Sequence, residues 1–374
     1  MRAENERFRP SSDGFGSGRP ATTLILLTTV ERFVVVAPNW LGDAVMALPA
    51  IADVRNGRPD ASLVVAARES VAPLFSLVRE VDEVVVLPRR GPYPLGGSDV
   101  ALLLPNSFHS ALMTARAGVR ERWGYRTDWR ALLLTRGIGR PPEGTHQIDS
   151  YRHLVQALGF ANGSPAPVLE PKPECRASGA EALLRAGWNG QTPLVALAPG
   201  AAFGSSKRWP PSAFADLAAG LAEDGIGAVI LGAAADRDTA SAVVQALARR
   251  ASVFDLVGRT DIPTLAGVLL NCRALVANDS GALHLAAALG VGVSGLFGPT
   301  DERTNSPRSR EPQAPRPEPR VPGPEPQAAS PERAAVFAHP VWCRPCWLSE
   351  CPLDHMCMRG IAAADVLAAT RRML

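Results

Sequence analysis

The chain has 374 residues, of which 46% are hydrophobic and 20% charged, which is the balance of a globular protein with room for two domains. The net charge is only +3 and aromatic residues make up 6%, so neither duplex DNA nor a stack of single-stranded bases is indicated as a partner, and we expect no nucleic acid to bind. No apolar run reaches the roughly 18 to 20 residues that span a bilayer.

Residues 1–30 are polar and rich in glycine and arginine, which is typical of a disordered extension. The apolar run at 21–30 has arginines upstream, as a signal peptide would, but no small-residue cleavage site follows it. The chain passes directly into an aliphatic run at 33–36 that is typical of a buried strand. We therefore expect an unstructured extension and a cytoplasmic protein, with a signal peptide as the alternative.

From Phe33 onward, short aliphatic runs alternate with segments of helical length. This pattern predicts a parallel sheet covered by helices on both faces. The proline-rich stretch at 165–173 is typical of a linker, so we expect an N-terminal domain over 31–170. Its strands are predicted at 33–37, 62–67, 83–87 and 100–104, with a helix over 43–56.

A second series of the same kind predicts a C-terminal domain over 171–305. Two consecutive doubly wound domains would place a ligand at the carboxyl ends of their strands, in one shared cleft. The strands are predicted at 194–198, 228–231, 274–277 and 291–297, with helices over 212–223, 237–249 and 281–289.

The remaining chain divides into a proline-rich insertion at 306–334 and a tail at 335–374 that ends in a helix over 362–372. Four cysteines crowd into the tail, while Cys175 and Cys272 stand alone, which argues against a disulfide framework. The tail cysteines, with His355, could bind a structural zinc ion, or they could be reduced thiols that pack a small turn. They are Cys343, Cys346, Cys351 and Cys357.

Three loops that follow strands carry unusual side chains. In the first, at 37–43, Gly42 lets the backbone approach a ligand and Asp43 falls in the first turn of a helix. Asp43 is therefore either a functional carboxylate or a residue that caps the helix and favours its dipole.

The second loop, at 198–210, combines glycines, hydroxyls and cations directly after a strand. Backbone amides, serine hydroxyls and a lysine ammonium suit a diphosphate, although the loop is neither a Walker loop nor a GxGxxG loop. The alternative is a solvated basic loop. Its side chains of interest are Ser205, Ser206 and Lys207.

The third loop, at 276–284, turns from a strand into a helix at Asp279, Ser280 and Gly281. The amides at the start of that helix could hold a second face of the same diphosphate. His284 lies one turn into the helix and is either a functional residue aimed back at the loop or a satisfied core histidine.

Together these segments resemble the ADP-heptose–lipopolysaccharide heptosyltransferases of glycosyltransferase family 9. The similarity is carried by 39–49, 199–210 and the run from Asn278 through His284 to Leu289, with support from 146–151 and 297–300. The tail is similar to the cysteine-rich end of the heptosyltransferase II branch. The insertion and the first thirty residues have no counterpart in the family.

The resemblance implies an α/β fold of the GT-B class, two Rossmann-like domains that face a cleft, with the acceptor on the N-terminal and the donor on the C-terminal domain. It implies an inverting enzyme that needs no cofactor and no metal for its chemistry. Asp43 matches the general base. Lys207 matches the lysine that stabilises the leaving diphosphate, with Ser205 and Ser206 as hydroxyl partners.

The resemblance also implies that Asp279, Ser280, Gly281 and His284 bind the donor ADP-heptose, and that Asp236 holds its ribose. The acceptor would be heptosyl-Kdo2-lipid A at the inner face of the cytoplasmic membrane, where the protein would bind peripherally. Five arginines of the N-terminal domain either meet the acceptor's phosphates or belong to a solvated helix face and loop. They are Arg116, Arg120, Arg122, Arg126 and Arg130.

The same motifs leave three alternative functions. A family 9 transferase could move another sugar to another glycan. A dehydrogenase with tandem Rossmann domains is disfavoured because no GxGxxG with a downstream acidic residue occurs. A non-catalytic protein that binds a sugar nucleotide or zinc is disfavoured because Asp43, Lys207, Asp279 and His284 are all present.

Overall fold

A computed structural model describes residues 32–127, 129–308 and 333–374. Two parallel sheets of six strands each form the centre of this described part. The doubly wound α/β fold predicted from the sequence is confirmed. The predicted extension at 1–30, and residues 309–332 of the predicted insertion, lie outside the described residues.

The first sheet has the strand order β3-β2-β1-β4-β5-β6. Its central strands are continuous aliphatic runs because helices cover both faces. The last two strands were not predicted, since arginine, glutamate and glycine interrupt any aliphatic pattern there. The strands are β1 (Arg32–Val36), β2 (Ser62–Arg68), β3 (Glu83–Leu87), β4 (Val100–Leu103), β5 (Glu121–Tyr125) and β6 (Arg136–Ile138).

The second sheet has the strand order β12-β11-β10-β7-β8-β9. Its edge strands were also missed: β9 has three residues, and β12 begins at Ala334, inside the predicted insertion, and pairs with β11. The strands are β7 (Leu194–Ala198), β8 (Gly227–Ile230), β9 (Val253–Asp255), β10 (Ala274–Asn278), β11 (Gly292–Phe297) and β12 (Ala334–Ala338).

Both sheets have the same Rossmann order, with the first strand of each next to the fourth. The crossovers to the two sides of each sheet diverge at that pair, which leaves a crevice at the carboxyl ends of the strands. The crevices therefore lie at the ends of β1 and β4 and at the ends of β7 and β10. The three loops singled out in the sequence follow β1, β7 and β10.

The helix predicted over 43–56 consists of two helices. Pro49 has no amide hydrogen to donate to the carbonyl of Val45, so the first helix ends at Met46 and the second begins at Leu48. The helices of the first half are α1 (Leu41–Met46), α2 (Leu48–Gly57), α3 (Ala72–Phe75), α4 (Phe108–Arg116) and α5 (Gln147–Ala157). A short 3-10 helix spans Arg130–Leu133.

The helices of the second half lie close to their predicted positions where these were given. They are α6 (Pro173–Arg185), α7 (Pro211–Glu223), α8 (Arg237–Leu247), α9 (Ile262–Leu270), α10 (Gly281–Ala288), α11 (Glu302–Asn305), α12 (Met356–Arg359) and α13 (Ala363–Arg371). None of the described helices is long and apolar enough to cross a bilayer.

The cysteine-rich tail packs onto the second sheet rather than standing apart. The indole nitrogen of the fully buried Trp209 donates to the carbonyl of Ile361 at 3.0 Å. Gly220 of α7 faces the side chain of Leu367 of α13, so that a Cβ there would lie only 2.4 Å from it. Met358 and Val366 are buried in the same core. The tail therefore helps to build the domain that carries two of the three loops.

Helices α6 and α9 cross at a pair of glycines. A Cβ on Gly179 would lie 1.9 Å from the carbonyl carbon of Gly267, and a Cβ on Gly267 would lie 2.0 Å from the carbonyl oxygen of Cys175. These neighbours are backbone atoms, which cannot rotate away as a side chain can. The two helices can approach this closely only because neither residue has a side chain.

We predict that Gly179→Ala destabilises the protein by about 1 to 3 kcal/mol, because the added methyl group forces the two backbones apart. Urea unfolding followed by circular dichroism measures the change. Ser178→Ala is the matched control on the exposed side of the same helix and should stay within about 0.5 kcal/mol of the unchanged protein. Equal midpoints for Gly179→Ala and the control would contradict the close crossing.

Candidate active site

The end of β1 places Asp43 in the first turn of α1. The negative carboxylate is favourable there because the helix dipole is positive at this end. The side chain is half-buried, and the helix cap Trp40 makes no side-chain capping bond. Burial raises the pKa of Asp43 above its ordinary value, and Asp279 adds to the increase, while His284 and Lys207 oppose it. The first sheet thus supplies a carboxylate of increased basicity.

Helix α1 of the first half packs directly on α10 of the second half. A Cβ on Gly42 would lie 2.9 Å from Cδ2 of His284, and a Cβ on Gly281 would lie 2.7 Å from Cβ of Leu41. Small residues on both helices therefore bring the start of α1 against the start of α10. This contact places Asp43 next to the loop that follows β10.

The carboxylate of Asp279, at the end of β10, is buried and has several partners. Its Oδ2 accepts from Nζ of Lys207 at 2.6 Å and from Oγ1 of Thr300 at 2.7 Å, and its Oδ1 lies 3.9 Å from Nε2 of His284. Burial alone would raise the pKa of Asp279, but His284 and Lys207 outweigh it and hold that pKa well below the ordinary value. Asp279 is therefore a fixed negative charge.

We name Asp43, Lys207, Asp279 and His284 the junction cluster. They come from the loops after β1, β7 and β10, as the sequence predicted for a shared crevice. His284 is buried, yet one ring nitrogen faces Asp279 rather than the apolar core. Nζ of Lys207 also lies 4.9 Å from the ring centre of Phe203, which is 39% exposed. Two carboxylates, a lysine and a histidine thus meet at the junction of the two sheets.

The two serines of the second loop differ in their surroundings. Ser205 is exposed. Ser206 is buried, its hydroxyl donates to the carbonyl of Leu348 in the tail, and its amide donates to the carbonyl of Ser349 at 3.2 Å. The two serines cannot be told apart from the sequence alone, because the partners of Ser206 lie more than 140 residues away.

At the start of α10, the hydroxyl of Ser280 is buried and has no hydrogen-bond partner within the described residues. Ser280 is the N-cap of the helix but makes no side-chain capping bond, so its hydroxyl is not used for the helix itself. A buried polar atom of this kind requires an explanation. Together with the amides that follow Gly281, it marks the helix start as a place for a polar ligand.

Asp236 lies in the loop that follows β8, beside the second loop. Its Oδ2 accepts from the amide of Ala233 at 2.9 Å, and a Cβ on Gly200 would lie 2.2 Å from its carboxyl carbon. The carboxylate therefore rests on the backbone of Gly200 and stabilises its own loop. It is next to the second loop and outside the junction cluster.

Two residues that sequence reasoning gave no role hold the loops together. Thr300 is buried and donates to Asp279, as described above. Asn278 is fully buried, accepts from the amide of Trp209 at 3.0 Å and donates to the carbonyl of Pro199 at 2.7 Å, so it joins the second loop to the third. Both lie in segments that resemble the family, but their partners are distant in sequence and could not be predicted from it.

The turn at 297–300 is held by the tail. The amides of Cys346 and Trp347 both donate to the carbonyl of Pro299 at 3.0 Å, and Arg344 donates to the carbonyl of Thr300 at 3.0 Å and to Glu302 at 2.7 Å. The tail thus supports the segment from which Thr300 reaches Asp279.

The four tail cysteines have free thiols, with Cys357 buried and Cys343, Cys346 and Cys351 partly exposed. Burial raises the pKa of the Cys357 thiol. Across the described ranges, no group of three or more histidine, cysteine or acidic side chains is arranged to hold a metal ion. A structural zinc ion and packed thiols therefore both stay predictions for the tail.

The five arginines considered for the acceptor separate into two groups. The guanidinium of Arg130 is fully buried and donates to the carbonyl of Tyr125 at 2.7 Å, and Arg122 donates to the carbonyls of Leu133 and Val119, both at 2.6 Å. These two arginines bond to the protein's own backbone, so neither of the two interpretations describes them. The side chains that remain exposed are those of Arg116, Arg120 and Arg126.

The family model for glycosyltransferase family 9 (heptosyltransferase) matches residues 94–322 of the chain. The chain is also similar to lipopolysaccharide heptosyltransferase 2 of Salmonella typhimurium and of Escherichia coli. Each is 30% identical over 301 residues, which are 75% of this chain and 86% of the relative.

Solved structures agree. The structure of E. coli ADP-heptose lps heptosyltransferase II superposes with a TM-score of 0.72 at 25% identity, over 91% of this chain and 98% of that one. E. coli heptosyltransferase WaaC with ADP shares the fold, with a TM-score of 0.66 at 17% identity, over 92% and 100% of the two chains. The predicted GT-B class is thereby confirmed, and the dehydrogenase alternative falls. The chain belongs to glycosyltransferase family 9, the heptosyltransferases, and is a glycosyltransferase.

Proposed function

We propose that the protein transfers a heptose from ADP-heptose to the inner core of lipopolysaccharide, with heptosyl-Kdo2-lipid A as the acceptor and inversion at the sugar's anomeric carbon. The observation that carries this proposal is the junction cluster, in which the carboxylate that follows β1 lies within electrostatic range of a lysine and a buried carboxylate from the second sheet. The similarity to relatives named heptosyltransferase 2 supports the choice of sugar and acceptor.

Asp43 acts as the general base. It takes the proton of the acceptor hydroxyl while that oxygen attacks the anomeric carbon and the bond from this carbon to ADP breaks. A base works best when its pKa lies near the operating pH, and burial moves the pKa of Asp43 in that direction. Lys207 supplies the positive charge that faces the leaving diphosphate, so the proposed mechanism needs no metal ion.

Lys207 stabilises the negative charge that develops on the departing diphosphate. The pairing with Asp279 fixes its position in advance, so that the lysine need not be ordered when the donor binds. Ser205, the hydroxyl of Ser280 and the amides after Gly281 complete the diphosphate site. His284 and Asp279 face the heptose, and we assign the ribose to Asp236.

The acceptor is a lipid-anchored glycan, so the enzyme would work at the cytoplasmic face of the inner membrane as a peripheral protein. The exposed arginines of the first half are available to its phosphates, whereas Arg122 and Arg130 are not.

The direct test incubates the enzyme with ADP-heptose and purified, deacylated heptosyl-Kdo2 acceptor, and follows the products by mass spectrometry. We expect the acceptor to gain one heptose for each ADP released. Transfer only from UDP- or GDP-sugars would reject the donor, and ADP release without a glycosylated product would reject the acceptor.

We expect Asp43→Asn to lower kcat by about 10² to 10⁴-fold while ADP binding measured by calorimetry is unchanged, because only the proton transfer is lost. The base must be deprotonated, so kcat/KM of the unchanged enzyme should fall as the pH decreases through the raised pKa of Asp43. That limb should be missing in Asp43→Asn. Asp60→Asn, at an exposed aspartate, serves as the control. Full turnover by Asp43→Asn would show that Asp43 is not the general base.

Ser205→Ala and Ser206→Ala should affect different properties of the protein. Ser205→Ala should weaken ADP binding by about 3 to 10-fold without changing stability, since it removes one hydrogen bond to the diphosphate. Ser206→Ala should keep ADP binding and lower the free energy of unfolding by about 1 kcal/mol, because it removes the bond to the tail. Calorimetry measures ADP binding and urea unfolding measures stability for both variants. Weaker ADP binding by Ser206→Ala with lower stability of Ser205→Ala would contradict these roles of the two serines.

A further inference from the structure

Two large apolar side chains between β5 and β6 are almost fully exposed to solvent. Trp129 is 89% exposed and Leu132 is 91% exposed, the highest values among the large apolar side chains that the structure describes. Neighbouring Leu133 and Leu134 pack against the core of the first sheet. The loop therefore has access to that core, yet it directs Trp129 and Leu132 away from it.

The backbone holds Trp129 in an unfavourable conformation. Its φ of 61° lies in the left-handed region, which is uncommon for bulky residues. The next residue anchors the loop, since Arg130 is fully buried with its guanidinium on the carbonyl of Tyr125. Thr127 donates to the carbonyl of Asn106 at 3.0 Å on the other side. Hydrogen bonds of Thr127 and of Arg130 thus hold the chain on both sides of the outward-pointing tryptophan.

The surroundings of these side chains are basic. Residues 116–140 contain seven arginines and two acidic residues, a net charge of 7 − 2 = +5 in a chain whose total is +3. Two of the arginines are structural, as described above, but Arg126 and Arg140 are exposed and follow the carboxyl ends of β5 and β6. Exposed tryptophan and leucine beside exposed arginines is the composition of a surface that binds anionic lipid.

We propose that the surface formed by Arg126, Trp129, Leu132 and Arg140 is the membrane-contact surface of this enzyme. Trp129 and Leu132 enter the interfacial region of an anionic bilayer, and Arg126 and Arg140 meet the phosphates of its lipids. The loop follows the carboxyl end of β5, and Asp43 follows the carboxyl end of β1 in the same parallel sheet. Docking here brings that edge of the sheet to the membrane, from which the lipid-anchored acceptor of the proposed function extends.

The test measures co-sedimentation of the full chain with phosphatidylcholine vesicles that contain or lack phosphatidylglycerol, without any substrate. Binding should require phosphatidylglycerol and weaken with salt. Trp129→Asn combined with Leu132→Ser should weaken it by about tenfold or more. Asparagine tolerates the left-handed backbone, so the unfolding midpoint of this variant should be equal or higher. Trp342→Ser, which removes a tryptophan that is 82% exposed in the tail, is the matched control.

The proposal would be overturned if the loop variant and the Trp342→Ser control bound the vesicles equally well. It would also be overturned if the unchanged protein bound none of the vesicles. A dimer that Trp129→Asn dissociates in analytical ultracentrifugation would also overturn it, since the surface would then belong to a second copy. A second measurement separates this proposal from the proposed function. The loop variant should keep its turnover on deacylated acceptor and lose it, in vesicles, on intact acceptor.

Discussion

The arrangement of the site depends on the buried carboxylate of Asp279. A charge in that position is stable only when cations and hydrogen-bond donors surround it. Lys207 and Thr300 satisfy one oxygen, and His284 faces the other. Asp279 directly follows β10, whereas Lys207 comes from the loop after β7. The ion pair that satisfies the buried charge therefore also holds the lysine in the position that the proposed function requires. In the proposed function, the donor side of the cleft is therefore organised before the donor arrives.

The cysteine-rich tail acquires a role from this arrangement. It accepts hydrogen bonds from the loop that carries Lys207 and donates to the turn that carries Thr300. Both groups that bind Oδ2 of Asp279 are thus supported by one segment. Gly204 lies so close to Ser349 that a Cβ would be 2.0 Å from its carbonyl oxygen, which shows how tightly the tail and the loop fit. A chain without the tail would keep its motif residues and lose their support.

Much of the fold and of the site could be predicted from the sequence because the signals are local. Aliphatic runs of buried strands, and glycine, serine and acidic residues directly after them, indicate a Rossmann crevice without any knowledge of distant contacts. What could not be predicted depends on distant partners. Ser206 and Ser205 are adjacent and chemically identical, and only the position of Leu348 separates them. In the same way, the sequence predicts a surface position for Arg130, because the backbone carbonyls that bind its guanidinium are visible only in the structure.

In the proposed mechanism, Lys207 and Asp279 act as one unit in catalysis. A double-mutant cycle on kcat/KM measures whether they do, with Lys207→Met, Asp279→Asn and the two combined, and Lys172→Met as a control on an exposed lysine. We predict strong non-additivity, with the double variant little worse than the poorer single variant, because each change alone already breaks the unit. Losses that simply add would mean that the two residues act independently, and would contradict the account.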